Sequence, residues 1–451
     1  MTLAAVPRYE PDRVTRTAGR AIVTGGSISG LVTARVLADR FDEVILCERD
    51  RLPDRPVARR SVPQARAPHV LWEAGRQTLD DLFSGFTEAV LNEGGSLIDA
   101  QRDLNVFFDG DFLAGGASDQ QSLTASRALF EQVLRRLLGA YPNVTIHDNC
   151  HVRAYRWAGT PPNVTGVEVQ WIDENTTEEL QSDLVVDCTG RTSRTPRQLE
   201  AHGYRSPKTE RVTIDLAYGI VELERPATDQ RAFVQTPHPP LGRGCVILPI
   251  ENERSLVAMA GVHGDHPPLE TDAFLHFAES LPFPEPHELL RQRTWLEEDV
   301  YRHPFPANRR QRYEKLERFP DGLLVVGDAI ASVNPVYGQG MSVAVLQAAV
   351  LHRLLGDHDD ASLARDFFRE STGVVDPAWR LSITADFKFP ETAGTKPWGT
   401  ALLNRYLDRV VRKAQTDGSI HRAFNRVVMM RDPPKRLFRP RVMWRVLKPF
   451  E

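Results

Sequence analysis

Cysteine is scarce in this chain: Cys47, Cys150, Cys188 and Cys245 are the only four in 451 residues, and no two form a CxxC pair. That spacing excludes a disulfide framework and a thiolate zinc site, both of which need clustered sulfur, and it suits reduced, buried thiols. Long apolar runs are missing as well. No segment reaches the roughly 18 uncharged apolar residues that a membrane-spanning helix requires, and MTLAAVPRYEPDRVTRTAGR at the N-terminus lacks the apolar core of a secretory leader, so a cytoplasmic location is expected. Neither HExxH, GxSxG nor any metal-ligand spacing occurs, which leaves metal-dependent and serine hydrolases without support. There is no internal repeat and no low-complexity tract. The net charge of −4 gives no reason to expect a nucleic-acid partner. That charge is uneven: residues 401–451 carry 13 Lys plus Arg against 4 Asp plus Glu. Such a basic tail either covers acids of the body or offers a surface to an acidic partner or an anionic membrane face.

What is present begins with a βαβ unit. RAIVT at 20–24 and EVILCE at 43–48 are short buried strands, and Ile28, Leu31, Val32, Val36 and Leu37 carry helical spacing between them. Residues 49–68 hold four prolines, many arginines and no apolar period, so an exposed loop is expected there. Helices are expected over 70–83, 125–139 and 340–356, and strands over 151–157, 164–172, 183–188 and 322–327. From about 205 to 300, runs such as VTIDLAYGIVEL and RSLVAMAGV indicate an antiparallel sheet, and 357–451 reads as mainly helical. The fold class is α/β (α+β overall), a Rossmann-like nucleotide domain interrupted by a mainly antiparallel sheet domain and closed by a helical C-terminal region. The expected divisions are 1–204 with insertions near 85–125, 205–305, 306–375 and 376–451.

The turn between first strand and first helix is GGSISG. Gly25 permits the tight turn, Gly30 permits close helix packing, and Ser27 replaces the middle glycine with another small residue, so a pyrophosphate can reach the helix N-terminus. Glu48 ends the second strand, 18 residues past Gly30, near the spacing of an acid that binds ribose hydroxyls. These features indicate a dinucleotide without deciding between NAD and FAD. The second cluster, LLVVGDA followed by NPVYGQGMS, decides it. A flavin extends past the sheet and needs a distant segment against its ribityl chain and ring. Asp328 can accept from ribityl hydroxyls, Pro335 fixes the turn, and Gly338 and Gly340 bring bare amides at a helix start against a polar ring edge.

GGSISGL, the acid in CERD, VVDCTGRTSR at 185–194 and VVGDAIASVNPVYGQGMS at 325–342 together resemble the FAD-dependent monooxygenases of the para-hydroxybenzoate hydroxylase fold, over about residues 25–375. VPQARAPHVLW at 62–72 is most similar to bacterial epoxidases of polyketide polyenes, relatives of squalene epoxidase. The resemblance implies that FAD is lined by Gly25, Gly26, Ser27, Gly30, Glu48, Arg49, Asp328, Pro335, Gly338, Gln339, Gly340 and Met341, that Arg127 contacts it, and that Val152 lies near its adenine. It implies one O2-derived oxygen transferred to an alkene of a lipophilic substrate. Aromatic hydroxylation and flavin-dependent reduction of prenyl double bonds stay open as alternatives on the same fold. NADPH or NADH would visit transiently, with the arginine-rich loop around Arg59 and Arg60 as one receiving surface, or a separate flavin reductase would supply electrons. The substrate would reach the enzyme on an acidic carrier protein docked to the basic tail, with a peripheral membrane contact as the other reading of that tail. Where the family has Asp-Gly this chain has Thr189-Gly190, which puts the binding of the nicotinamide donor in question. No catalytic side chain is assigned, because flavin oxygenation needs no protein nucleophile. Phe387, Phe389, Trp398 and Tyr406 are candidates for the roof of an apolar channel.

Overall fold

In the computed structural model, Val6 and residues 8–357 and 362–448 are described. A five-stranded parallel sheet organises the first half. Its order is Leu323–Val325, Leu184–Asp187, Thr17–Thr24, Phe41–Cys47 and Val144–His147. Ile22 is level with Ile45 on one side and Val185 on the other. These strands read as unbroken apolar runs because helices cover both faces of a parallel sheet, and Ile22, Val23, Leu46, Val186 and Leu324 are fully buried. Helix Ile28–Leu37 packs on this sheet, and helix Gly340–Asp357 packs on that helix and on the Gly327–Ala329 turn, although about 300 residues separate the two helices in the chain.

The second large sheet is built on Thr209–Glu224, a 16-residue strand paired antiparallel with Arg254–Gly261 and with Tyr301–Gln311. Arg243–Ile250 and Ala232–Gln235 continue it, and Leu104–Phe108 joins its edge in parallel with Ala232–Gln235. A segment from the early half of the chain is therefore part of the antiparallel unit. A third, three-stranded sheet holds Cys150–Ala158, Asn163–Trp171 and Thr176–Gln181. The mixed architecture agrees with the class expected from the sequence.

One of these expectations needs correction, and two gain detail. The helix expected over 70–83 begins only at Glu73, because Val70–Leu71 pairs with Gln121–Thr124 instead. The segment 49–68 is irregular and largely exposed as expected, apart from a short 3₁₀ turn at Pro63–Arg66, but Arg59 and Val62 within it are buried. The basic tail is mainly helical as expected, through Thr400–Ala414, Gly418–Val428 and Pro440–Leu447, and some of its arginines cover acids of the body. Its Arg412 pairs with Asp109 at 2.6 Å and its Arg431 with Glu73 at 3.0 Å. Arg445 and Arg426 turn to the tail's own Asp417 and Asp432.

Candidate functional site

A cavity of about 850 Å³ opens at the C-terminal ends of the parallel strands, where Thr24, Cys47, Glu48 and Cys188 line it. This is where open α/β sheets bind ligands. It runs without a break past Asp328, Pro335, Gly338, Gly340 and Met341 and on between the antiparallel sheet and the C-terminal helices. The two glycine clusters therefore face one space.

The first cluster is held by close packing. Gly25 has φ +100°, and a Cβ there would stand 2.8 Å from the Cys188 carbonyl. A Cβ on Gly30 would stand 1.8 Å from the Gly25 carbonyl. Gly26 N donates to Glu48 Oε2 at 2.7 Å, and Asp50 N donates to Glu48 Oε1 at 2.9 Å, so the acid that ends the second strand also fixes the turn. Ser27 sits at the N-cap but makes no capping bond. Its hydroxyl donates to Glu131 Oε1 at 2.5 Å and accepts from Arg127 Nη2 at 2.8 Å. Among the described residues the first-turn amides of Ile28–Leu37 thus keep no side-chain acceptor and remain suited to an anion.

Behind this turn lies a buried ion network that sequence reasoning does not find. Arg59 Nη2 meets Glu131 Oε2 at 2.8 Å, and its Nη1 lies 3.3 Å from Glu48 and 3.4 Å from Asp50. Arg59, expected as a solvated or donor-greeting residue, is instead a structural counter-ion. Burial pushes the Glu131 pKa up, but Arg127 and Arg59 more than offset this and hold it below the usual carboxylate value. The Arg127–Glu131 pair has i,i+4 helical spacing, which is the one sequence signal available for it.

Ser27, Arg49, Arg127 and Val152 line the cavity together with Gly25 and Glu48, whereas Gly26 and Gly30 lie behind its wall. In the second cluster, Asn334 Oδ1 accepts from Val336 N at 3.1 Å and starts the turn Pro335–Tyr337. Gly338 follows at φ +64°, packed so that a Cβ would meet Val70 at 2.8 Å. A Cβ on Gly340, by contrast, would meet nothing within 4 Å, because the cavity lies there. Gln339 does not line the cavity; its Nε2 donates to Val428 O at 2.9 Å and ties the turn to the C-terminal wall.

Asp328 is exposed to the cavity yet enclosed by protein. Enclosure raises its carboxyl pKa, against the opposing pull of Arg127 and Arg191. Arg191, another lining residue not singled out from sequence, donates to Ser332 Oγ and Ala307 O and lies 4.6 Å from the Phe305 ring centre. His69 is pushed down to about 3 by burial and by Arg127, so its imidazole is neutral. Under the second turn, burial raises Asp386 to about 6 although Asn334 and Asn308 donate to it at 2.9 and 2.6 Å. Of the four aromatics expected to roof the channel, none does so. Trp398 is fully exposed, Phe387 and Phe389 pack in other clusters, and Tyr406 stacks on Phe438. Trp72, Phe107, Phe108, Tyr218 and Phe424 line the cavity instead.

The Thr189-Gly190 departure has a structural counterpart. Asp187, fully buried, accepts from Thr189 N at 2.9 Å, Thr189 Oγ1 at 2.6 Å, and Ser193 and Thr195 hydroxyls at 2.5 Å each. Thr189 thereby becomes part of a closed network. Asp187→Ala, which strands these donors, is expected to lower unfolding free energy by about 3 kcal/mol, with Asp187→Asn losing less because it keeps one acceptor oxygen. Urea unfolding of the three proteins measures this.

Residues 19–359 match a family model described as FAD binding domain. Protein Rv3254 of Mycobacterium tuberculosis is 32% identical over 419 residues, covering 90% of this chain and 88% of that protein. A kynurenine 3-monooxygenase of Salinispora tropica is 26% identical over 363 residues, with 76% and 74% covered. Among solved structures, PqsL of Pseudomonas aeruginosa, a probable FAD-dependent monooxygenase, superposes with a TM-score of 0.61 at 16% identity, covering 82% of this chain and 98% of that one. At that identity the likeness is one of fold.

Proposed function

Because the chain belongs to the FAD binding domain family, we propose that it is a FAD-dependent monooxygenase that epoxidises an alkene of a lipophilic substrate such as a polyketide or polyene. The observation that carries this reading is the single cavity shared by Gly25 and Gly340, with an apolar region beyond them. The residues fit the cofactor: a helix start without a side-chain acceptor suits a diphosphate, and open space over Gly340 suits a flat ring. Glu48 and Arg49 would hold the adenosine end with Val152, Ser27 and Arg127 the diphosphate, and Asp328 the ribityl chain. The backbone from Pro335 to Met341 would hold the ring edge. Bound FAD, once reduced by NADPH, NADH or a partner reductase, supplies the electrons for transferring one atom of O2.

The chain's own residues then have three tasks. The amides at the start of Gly340–Asp357 favour negative charge at the ring edge. Val246, Leu248, Phe424 and Met429 among the lining keep water from the space beyond. Neutral His69 adds no charge to the wall. Hydroxylation of an aromatic ring is the second reading, favoured by the likeness to a kynurenine 3-monooxygenase. Purified protein is expected to be yellow and to consume O2 with a nicotinamide donor and substrate. With ¹⁸O2, label in a product that has lost one C=C bond supports epoxidation, label in a phenol supports the second reading, and product without label overturns both.

A further inference from the structure

The far end of the cavity holds a group of charges that the oxygenation chemistry does not require. Lys388 follows the helix Leu363–Asp386, Asp408 lies on Thr400–Ala414, His238 follows the strand Ala232–Gln235, and Phe108 ends Leu104–Phe108. All four line the cavity, brought there from four separate segments. The Lys388 ammonium donates to Asp408 Oδ1 and lies 5.5 Å from the centre of the Phe108 ring. His238 Nε2 is 3.8 Å from the same Asp408 oxygen, too far for a hydrogen bond, and has no other partner among the described residues. Its ring meets Phe108 edge-on at 4.8 Å. Asn404, 8% exposed and on the same helix as Asp408, also lines the cavity. Its Nδ2 donates to Thr384 O at 2.8 Å, while its Oδ1 has no partner among the described residues.

Around these groups the wall is apolar: Val106, Leu407, Val411, Phe424, Val428 and Met429. An ion pair sunk in such a wall is a weak source of stability, because desolvation consumes most of its attraction. A ligand gives it a use. The Lys388 and Asp408 charges cancel, so neither an anion nor a cation is drawn to the pair: a carboxylate would face Asp408 and an ammonium would face Lys388. A hydroxyl suits both, since it donates to a carboxylate and accepts from an ammonium. A site whose buried polar groups are fully satisfied only by a ligand hydroxyl rejects analogues that lack it.

We propose that Lys388, Asp408 and His238 form a subsite that anchors a neutral, hydroxyl-bearing end of an otherwise apolar substrate. The inference rests on the monooxygenase reading of the same cavity. Its test uses the full-length oxidised flavoprotein without electron donor and follows four probes of equal chain length by calorimetry: 1-octanol, 1-chlorooctane, octanoate and octylammonium. The alcohol is expected to bind at least tenfold more tightly than each of the others. In the double variant Lys388→Met/Asp408→Leu, which removes both charges together and leaves neither orphaned, the preference for the alcohol over the chloride should fall below twofold. Equal binding of alcohol and chloride by the unaltered protein overturns the proposal, as does tighter binding of either charged probe or an undiminished preference in the double variant. If that variant fails to fold, the ranking on the unaltered protein decides alone. Colourless protein would sink the flavin reading, whereas the probe ranking needs no oxygen transfer, so the two failures are distinguishable.

Discussion

Arg59→Met is expected to lower the free energy of unfolding by about 3–5 kcal/mol, the usual cost of removing one partner from a buried charge network. The guanidinium is the common counter-ion of Glu131, Glu48 and Asp50, and Glu131 is itself buried. The pH dependence should identify the cause. In the unaltered protein Glu131 is held below its usual pKa. Its favourable contribution is therefore present above the unfolded-state value and is lost as pH falls through the folded one. Without Arg59, burial is opposed only by Arg127 and the Ser27 hydroxyl, and the folded pKa moves upward. The carboxylate then becomes a cost above that pKa, relieved by protonation below it. Both effects point the same way, so the gap in Tm between variant and parent should be widest near pH 8 and narrow toward pH 5. A gap independent of pH would show that lost packing, rather than stranded charge, dominates.

Gly30→Ala and Gly340→Ala form the second pair, identical in chemistry and opposite in expected consequence. At position 30 the new methyl would lie 1.8 Å from a backbone carbonyl that cannot move without opening the first turn. Overpacking of this kind costs about 3 kcal/mol or more, and little soluble, yellow protein is expected. At position 340 the methyl meets no protein atom and the helix gains alanine's better propensity, worth up to about 1 kcal/mol. The fold should therefore keep or slightly raise its Tm. The same methyl would occupy the space assigned to the flavin ring edge, and FAD affinity should fall at least tenfold, read by fluorescence on reconstituting stripped protein. If Gly340→Ala leaves FAD affinity unchanged, the ring does not lie against this turn.

Much of this was legible beforehand, for reasons that can be named. Strands buried on both faces declare themselves as unbroken apolar runs, as in AIV, VILC and LLV, and a glycine at a crowded turn leaves its mark because no other residue fits. Gly25, Gly30 and Gly338 are such positions. Polar residues inside an irregular segment give no comparable signal. Arg59 sits among prolines and other arginines, and only the fold separates the one that is buried from those that are not. Aromatic side chains misled for a similar reason: helical spacing puts Tyr406 on a face, but whether that face meets a cavity or another helix depends on partners far away in the chain. Aromatics that do line the cavity, among them Trp72, Phe108, Tyr218 and Phe424, come from separate elements whose proximity no local pattern encodes.

The bond from Gln339 Nε2 to Val428 O carries a mechanical implication. It crosses from the glycine turn to a helix that closes the opposite side of the chamber, so the two margins are laced together at one carboxamide. Any swinging of the terminal helices must first break that stitch, and the peptide planes on either side of residue 339 would register it. A guest that pushed this helix outward would disturb the turn through that side chain, alongside the pairs Arg412–Asp109 and Arg431–Glu73.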